Sequence, residues 1–149
     1  MDSKSSMKKD VEARRMGKLM RRMLVGFKAR LDEELKDHAV TTAQLRFLYE
    51  VRERPGGSGA QMARACFVTP QSAQAMLTRA VERGWIVRGK DPENERLVTL
   101  RLTPAGRKLL EYAEGVARGI EAEVWAGVSV KELRGVSGIL ERGLGNLEK

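Results

Sequence analysis

Few side chains in this sequence could do covalent or metal chemistry. There is one cysteine, Cys66, and one histidine, His38. A nucleophile needs an oriented base beside it, and a zinc site needs three or four protein ligands. Nothing in the spacing supports a Cys66–His38 pair, and the acidic residues near His38 read as a solvated helix end. Cys66 precedes a helix start whose positive end could favour a thiolate, with Arg64 close in sequence. It also lies in the apolar run Ala65-Cys66-Phe67-Val68, which favours inert packing over a redox role. No glycine-rich loop is spaced to cradle a phosphate. The expectation is a binding protein without metal or cofactor, not an enzyme.

Residues 58–84 carry a different kind of chemistry. They read as two helices separated by a tight turn, the first from about Ser58 to Ala65. The second opens at Thr69-Pro70, an N-cap followed by a residue that needs no N–H in the first turn. It closes at Gly84, which tolerates positive φ. Ala73, Met76, Leu77, Ala80 and Val81 share its apolar face. Gln71, Ser72, Ala75, Thr78 and Arg79 point away from that face or flank it. Amide and hydroxyl groups on a slim helix start can reach base edges in a major groove. Gln71, Ser72 and Gln74 are the expected base readers, and Thr69 and Arg79 would hold phosphate.

The flanking elements must position that helix. Met16, Leu19, Met20, Met23, Leu24, Phe27, Leu31 and Leu35 recur at helical spacing, predicting a long helix from about Asp10, after a polar stretch without structure of its own. Thr42 starts a second helix with Leu45, Leu48 and Val51 inward, ended by Arg54-Pro55-Gly56-Gly57. After Gly84 the period shortens. Trp85-Ile86-Val87 reads as a strand, and Val98, Leu100 and Leu102 alternate with Thr99 and Arg101 as a second, half-buried strand. The charged loop from Gly89 to Arg96 joins them as a wing, with Arg88, Lys90 and Arg96 available to phosphate. Thr103-Pro104 opens another long helix, and Ser129 with Glu132 forms a capping box for the last. That last helix should bury Leu133, Val136, Ile139, Leu140 and Leu144.

Charge favours a polyanionic partner. The net charge is +8 and the pI about 10. Residues 1–30 hold ten Lys/Arg against three acids, and residues 54–107 hold nine against four, so the excess is localised. A basic amphipathic N-terminal helix could also lie on anionic lipid as a membrane-surface or interaction module. Its apolar stripe runs on into the acidic Asp32–Asp37 segment, which such a surface would repel. Apolar runs are too short to span a membrane, no secretory signal is evident, and a lone cysteine suits the reducing cytoplasm.

The order helix, helix, helix-turn-helix, two-stranded wing, helix, helix resembles the MarR (multiple antibiotic resistance regulator) family of bacterial transcription factors. The wing carries the resemblance: Asn94-Glu95-Arg96, five residues, then Leu102-Thr103-Pro104-Ala105-Gly106-Arg107. Asp91-Pro92, Gly84-Trp85-Ile86-Val87 and Thr42-x-Gln44-Leu45 also fit, and the match spans about Val11 to Leu147. The resemblance implies one mainly α domain over 1–149 with a small β-wing. It would have six helices, a DNA-binding lobe at 38–103, and dimerisation helices at 1–37 and 104–149. It implies a homodimeric regulator, a repressor, on a pseudo-palindromic duplex. A small aromatic or phenolic effector is a further implication, near Met23, Phe27, His38 and Phe47. Two departures stand out. Asn94 replaces the usual Asp, which removes charge assistance from its contact with the wing arginine. Gln74-Ala75 replaces a usual Thr-Arg, so a basic anchor is missing from the recognition helix.

Overall fold

The computed structural model describes residues 3–149. Met1 and Asp2, the start of the expected polar stretch, lie outside the described residues. The chain forms two compact units, one reaching to Ala117 and one spanning Arg118–Lys149. Among the described residues there are six α-helices, one short 3₁₀ turn and a two-stranded antiparallel sheet.

Helix α1 runs Ser3–Glu34. Residues 3–9 are therefore helical, which corrects the expectation of an unstructured start for that part of the stretch. No proline or paired glycine interrupts 3–9, and the helix simply extends through them. Leu31, and Leu35 just beyond the helix, are its buried anchors. Asp32 ties this end to the next helix: it accepts from Lys28 at 2.8 Å and from the Thr42 backbone N–H at 2.9 Å. Burial alone would raise the Asp32 carboxyl, but these donors outweigh it and hold it below the ordinary value.

A short 3₁₀ turn at Lys36–His38 leads into α2, Thr42–Glu53. Thr41 caps α2 with Gln44 in a reciprocal capping box. Leu45, Leu48 and Val51 are buried as their spacing requires, together with Phe47 and Glu50. Glu50 is a charged group in the core, bound by Arg46 at 2.7 Å and by Arg54. Arg52 forks onto Glu114 at 3.1 and 2.5 Å, joining α2 to the long helix that follows the sheet.

Helix α3 spans Gly59–Ala65 and α4 spans Pro70–Glu82, with Ser58 and Thr69 as their caps. On α4, Ala73, Leu77 and Ala80 are buried and Met76 and Val81 half-buried. Strands β1, Ile86–Lys90, and β2, Val98–Leu102, pair in register from Ile86 with Leu102 to Lys90 with Val98. Trp85 is buried but precedes β1. The strict alternation expected for β2 fails at its first two residues. Val98 is exposed and Thr99 buried, because Thr99 faces Gly89, which leaves it room. Gly57 bridges Leu100, so the turn after α2 extends the sheet by one residue pair.

Helix α5 runs Pro104–Val124 and α6 runs Val130–Leu147. Ser129 and Glu132 form the expected capping box. In the single chain Val136, Ile139, Leu140 and Leu144 of α6 are exposed rather than buried, and Leu133 is half-buried. Met16, Leu19, Met20, Met23 and Leu24 of α1 are exposed as well. These stripes have the periodicity of a core but are left uncovered by the described residues.

Candidate nucleic-acid interface

Thr69 starts α4 as its sequence position requires. Its Oγ1 accepts from the Ser72 N–H at 3.1 Å and donates to Ser72 Oγ at 3.0 Å. Both hydroxyls are thus engaged in the cap. Gln71 has no hydrogen-bond partner among the described residues and is fully available. Gln74 Nε2 reaches Thr78 Oγ1 only at 3.5 Å, a weak contact. Gln71, Gln74, Ala75, Thr78 and Arg79 border one open surface together with Pro70. This is the outer face of α4: uncharged over its first two turns and cationic at Arg79. Ala75 leaves it shallow where a long basic side chain would stand.

The two ends of the helix-turn-helix close identically. After α3, Phe67 N–H donates to Arg64 O and Val68 N–H to Ala63 O, both at 3.1 Å. After α4, Gly84 N–H donates to Val81 O at 2.9 Å and Trp85 N–H to Ala80 O at 2.8 Å. These are Schellman pairs, which need a left-handed residue just past the cap. Gly84 supplies it at φ 72° and Phe67 at φ 54°. Phe67 is 92% exposed, which corrects the reading of 65–68 as a buried apolar run. The Schellman turn directs the side chain at that position outward.

Cys66 caps α3 and is half-buried. Burial pushes its thiol up, and the carboxylate of Glu50 adds to this against the smaller opposing effects of Arg46 and Arg54. These surroundings disfavour a thiolate at Cys66.

In the wing, Arg88 and Lys90 are exposed on β1 and line a shallow cleft with Arg101. The tip is organised by Asp91, whose Oδ1 accepts from the N–H groups of Glu93 at 2.8 Å and Asn94 at 3.0 Å. Asn94 Oδ1 in turn accepts from the Arg96 backbone N–H at 3.2 Å. The contact expected between Asn94 and the Arg96 side chain is thus made to the main chain, which needs no charge. Arg96 is left exposed at the tip. The role of Asp91 was missed in the sequence, although an Asp before a Pro commonly bonds the backbone two residues on.

The wing returns to α5 through a tight junction. Thr103 N–H donates to Trp85 O at 3.0 Å, and Thr103 Oγ1 donates to Gly84 O at 2.5 Å while accepting from Gly106 N–H at 3.0 Å. A Cβ on Gly106 would lie 2.1 Å from Trp85 O. Glycine is required there for space.

The residues expected near an effector do not converge. Phe47 is in the core, Met23 is exposed and Phe27 is half-buried. Of these four residues, His38 borders a cleft of about 490 Å³ with Asp37, Arg83, Trp85, Lys108, Leu109 and Tyr112. The His38 ring stacks on Tyr112 at 4.6 Å. Arg83 donates to His38 O at 2.9 Å and lies 4.9 Å over the Trp85 ring. His38 Nδ1 is buried without a hydrogen-bond partner among the described residues. No group of three or more His, Cys, Asp or Glu among the described residues could hold a metal ion.

A sequence model of the MarR family matches residues 39–97. The HTH-type transcriptional repressor Rv2887 of Mycobacterium tuberculosis is 28% identical over 127 residues, covering 85% of this chain and 91% of the relative. Among solved structures, a MarR family transcription regulator, SP03579, superposes with a TM-score of 0.83 at 22% identity over 97% of both chains. A cysteine-to-serine mutant of MarR from E. coli, complexed with operator DNA, gives 0.77 at 22% identity over 89% of this chain and 96% of that one. The helix-turn-helix lies wholly within the segment that matches the MarR family of transcriptional regulators, and the chain has the winged helix-turn-helix fold of these solved structures.

Proposed function

We propose that this protein represses transcription as a homodimer bound to a pseudo-palindromic DNA duplex. The observation that carries this reading is the outer face of α4, exposed and uncharged at its start, with Arg79 and a cationic wing beside it. Gln71, Ser72 and Gln74 read base edges, and an amide paired to adenine is worth about 1–3 kcal/mol of discrimination. Thr69, Pro70 and Thr78 shape that face. Arg79, Arg88, Lys90 and Arg96 hold phosphate, and Asn94 keeps Arg96 at the tip. Phosphate contacts set affinity and register but carry no sequence information. Both relatives named above as a repressor and as a complex with operator DNA support the assignment.

The exposed apolar stripes on α1 and on α6 support the dimer. Each repeats like a core face, and burial in a second copy removes it from water. Two recognition helices then reach half-sites about 10 bp apart or a multiple of that. The His38 cleft is the site for an effector: the Tyr112 and Trp85 rings offer stacking, Lys108 and Arg83 offer positive charge, and His38 Nδ1 lacks a partner. An aromatic anion fits that chemistry. Because Arg83 caps α4, such a ligand acts on the recognition helix directly.

Selection of duplexes from random DNA tests the reading. The protein should enrich one inverted repeat, and enrichment of no sequence would sink the proposal. On the selected duplex, Arg96→Ala should weaken binding to all sequences alike and reduce the salt slope by about one unit. Gln71→Ala should change sequence preference with little change in slope. An unaltered affinity and slope in Arg96→Ala would remove the wing from the interface.

A further inference from the structure

Phe67 combines two features that are each unfavourable in water. Its backbone is left-handed at φ 54°, a conformation in which a bulky residue is an outlier. Its ring is 92% exposed, the highest value among the exposed large hydrophobic side chains described. Glycine would close the same Schellman turn without strain, as Gly84 does one helix later. Neither packing nor capping therefore accounts for a phenylalanine here.

Its position suggests what does. Phe67 stands two residues before Thr69, the N-cap of α4, and Thr69, Pro70, Gln71 and Ser72 that follow are all exposed. Phe67 thus stands in the turn that leads into the start of the helix, the end that enters a groove most deeply in helix-turn-helix proteins. The major groove displays one apolar group, the C5-methyl of thymine, and phenylalanine is among the side chains that contact it. The uncharged face of α4 lacks a basic anchor at Ala75, so an added apolar contact would supply both affinity and sequence preference.

We infer that Phe67 is a specificity-determining residue whose ring packs on a thymine methyl at the edge of each half-site. This rests on α4 being the DNA-reading helix. The left-handed turn aims the ring away from the protein core and toward the duplex, and the strain of that turn is offset only in the complex.

The test uses the full-length protein and a duplex it selects from random DNA. Affinity is measured by fluorescence anisotropy for that duplex and for analogues in which each thymine in turn becomes deoxyuracil, which lacks the methyl. Phe67→Ala should bind the selected duplex about tenfold more weakly, the scale of one buried aromatic ring, with an unchanged salt slope. At one thymine per half-site, deoxyuracil should weaken the wild type about fourfold, the scale of one methyl, and Phe67→Ala not at all. Phe67→Gly guards against misfolding: it should melt about 2 °C higher and still bind as weakly as Phe67→Ala. Wild-type affinity in Phe67→Ala or Phe67→Gly overturns the inference, as does the absence of any thymine coupled to residue 67. A changed oligomeric state with unchanged affinity also overturns it and assigns the ring to a second copy. Failure of the wild type to select any duplex removes the DNA reading itself, and this inference with it.

Discussion

The ends of α3 and α4 share their main-chain geometry and differ in the residue that holds positive φ. Both close with the same pair of main-chain hydrogen bonds, and both place a residue at positive φ just past the cap. At the end of α4 that residue is Gly84, whose added Cβ would meet nothing within 4 Å. Its glycine is thus explained by backbone conformation alone. At the end of α3 the residue is Phe67, which the backbone disfavours. A third position, Gly106, completes the contrast, because glycine there is explained by space alone: Trp85 O occupies the place of a Cβ. One molecule therefore holds a glycine required by φ, a glycine required by volume, and a site where glycine would suit the backbone and is not used. The first two serve the fold. The third is where the fold is compromised for something outside it.

Substitutions can break this contrast in order of expected size. Gly106→Ala should be the most damaging, because main chain rather than a flexible side chain must move; a loss of about 3 kcal/mol is expected in urea unfolding. A variant as stable as the wild type would show that the junction relaxes freely. Gly84→Phe transplants the α3 arrangement onto α4 and should lose about 1 kcal/mol, since left-handed strain outweighs the reduced freedom of the unfolded chain. The reciprocal Phe67→Gly should gain about 0.5–1 kcal/mol by the same balance. If both exchanges were neutral, positive φ would carry no penalty in these turns and the contrast would dissolve. Cys66→Ser, at the cap beside Phe67, should have the smallest effect. Its thiol is raised by burial and by Glu50, so it stays protonated near neutral pH. DNA binding before and after peroxide treatment should match the wild type, and an oxidant response lost in the variant would restore Cys66 as a sensor.

Much of this architecture was legible because it rests on local rules. Thr69-Pro70, Ser129 with Glu132, Thr103-Pro104 and Gly84 announce helix ends through hydrogen bonds made within a few residues. The α4 face and the hairpin follow from periods of 3.6 and 2. What stayed hidden depends on contacts distant in sequence or on the main chain. The burial of Glu50 between two arginines breaks the rule that charges face water. Thr99 turns inward because Gly89, on the other strand, leaves it room. The Arg83–His38–Tyr112 cluster joins the end of α4 to residues 45 positions earlier and to α5. Phe67 was misread because an apolar run suggests burial, whereas the Schellman turn reverses the direction of its side chain. The wing motif was recognised but its wiring was not, since Asp91 and Asn94 bond backbone N–H groups that no residue pattern reveals.

The junction at Trp85 has a mechanical consequence. Its carbonyl receives the Thr103 N–H and abuts Gly106, while Thr103 also grips the Gly84 carbonyl. The tail of α4, the base of the hairpin and the first turn of α5 are thereby keyed at one point, with no compressible side chain between them. Such a joint acts as a fulcrum rather than a spring. A displacement of the first turn of α5 would therefore meet main chain at the end of α4, with no side chain between them that could repack.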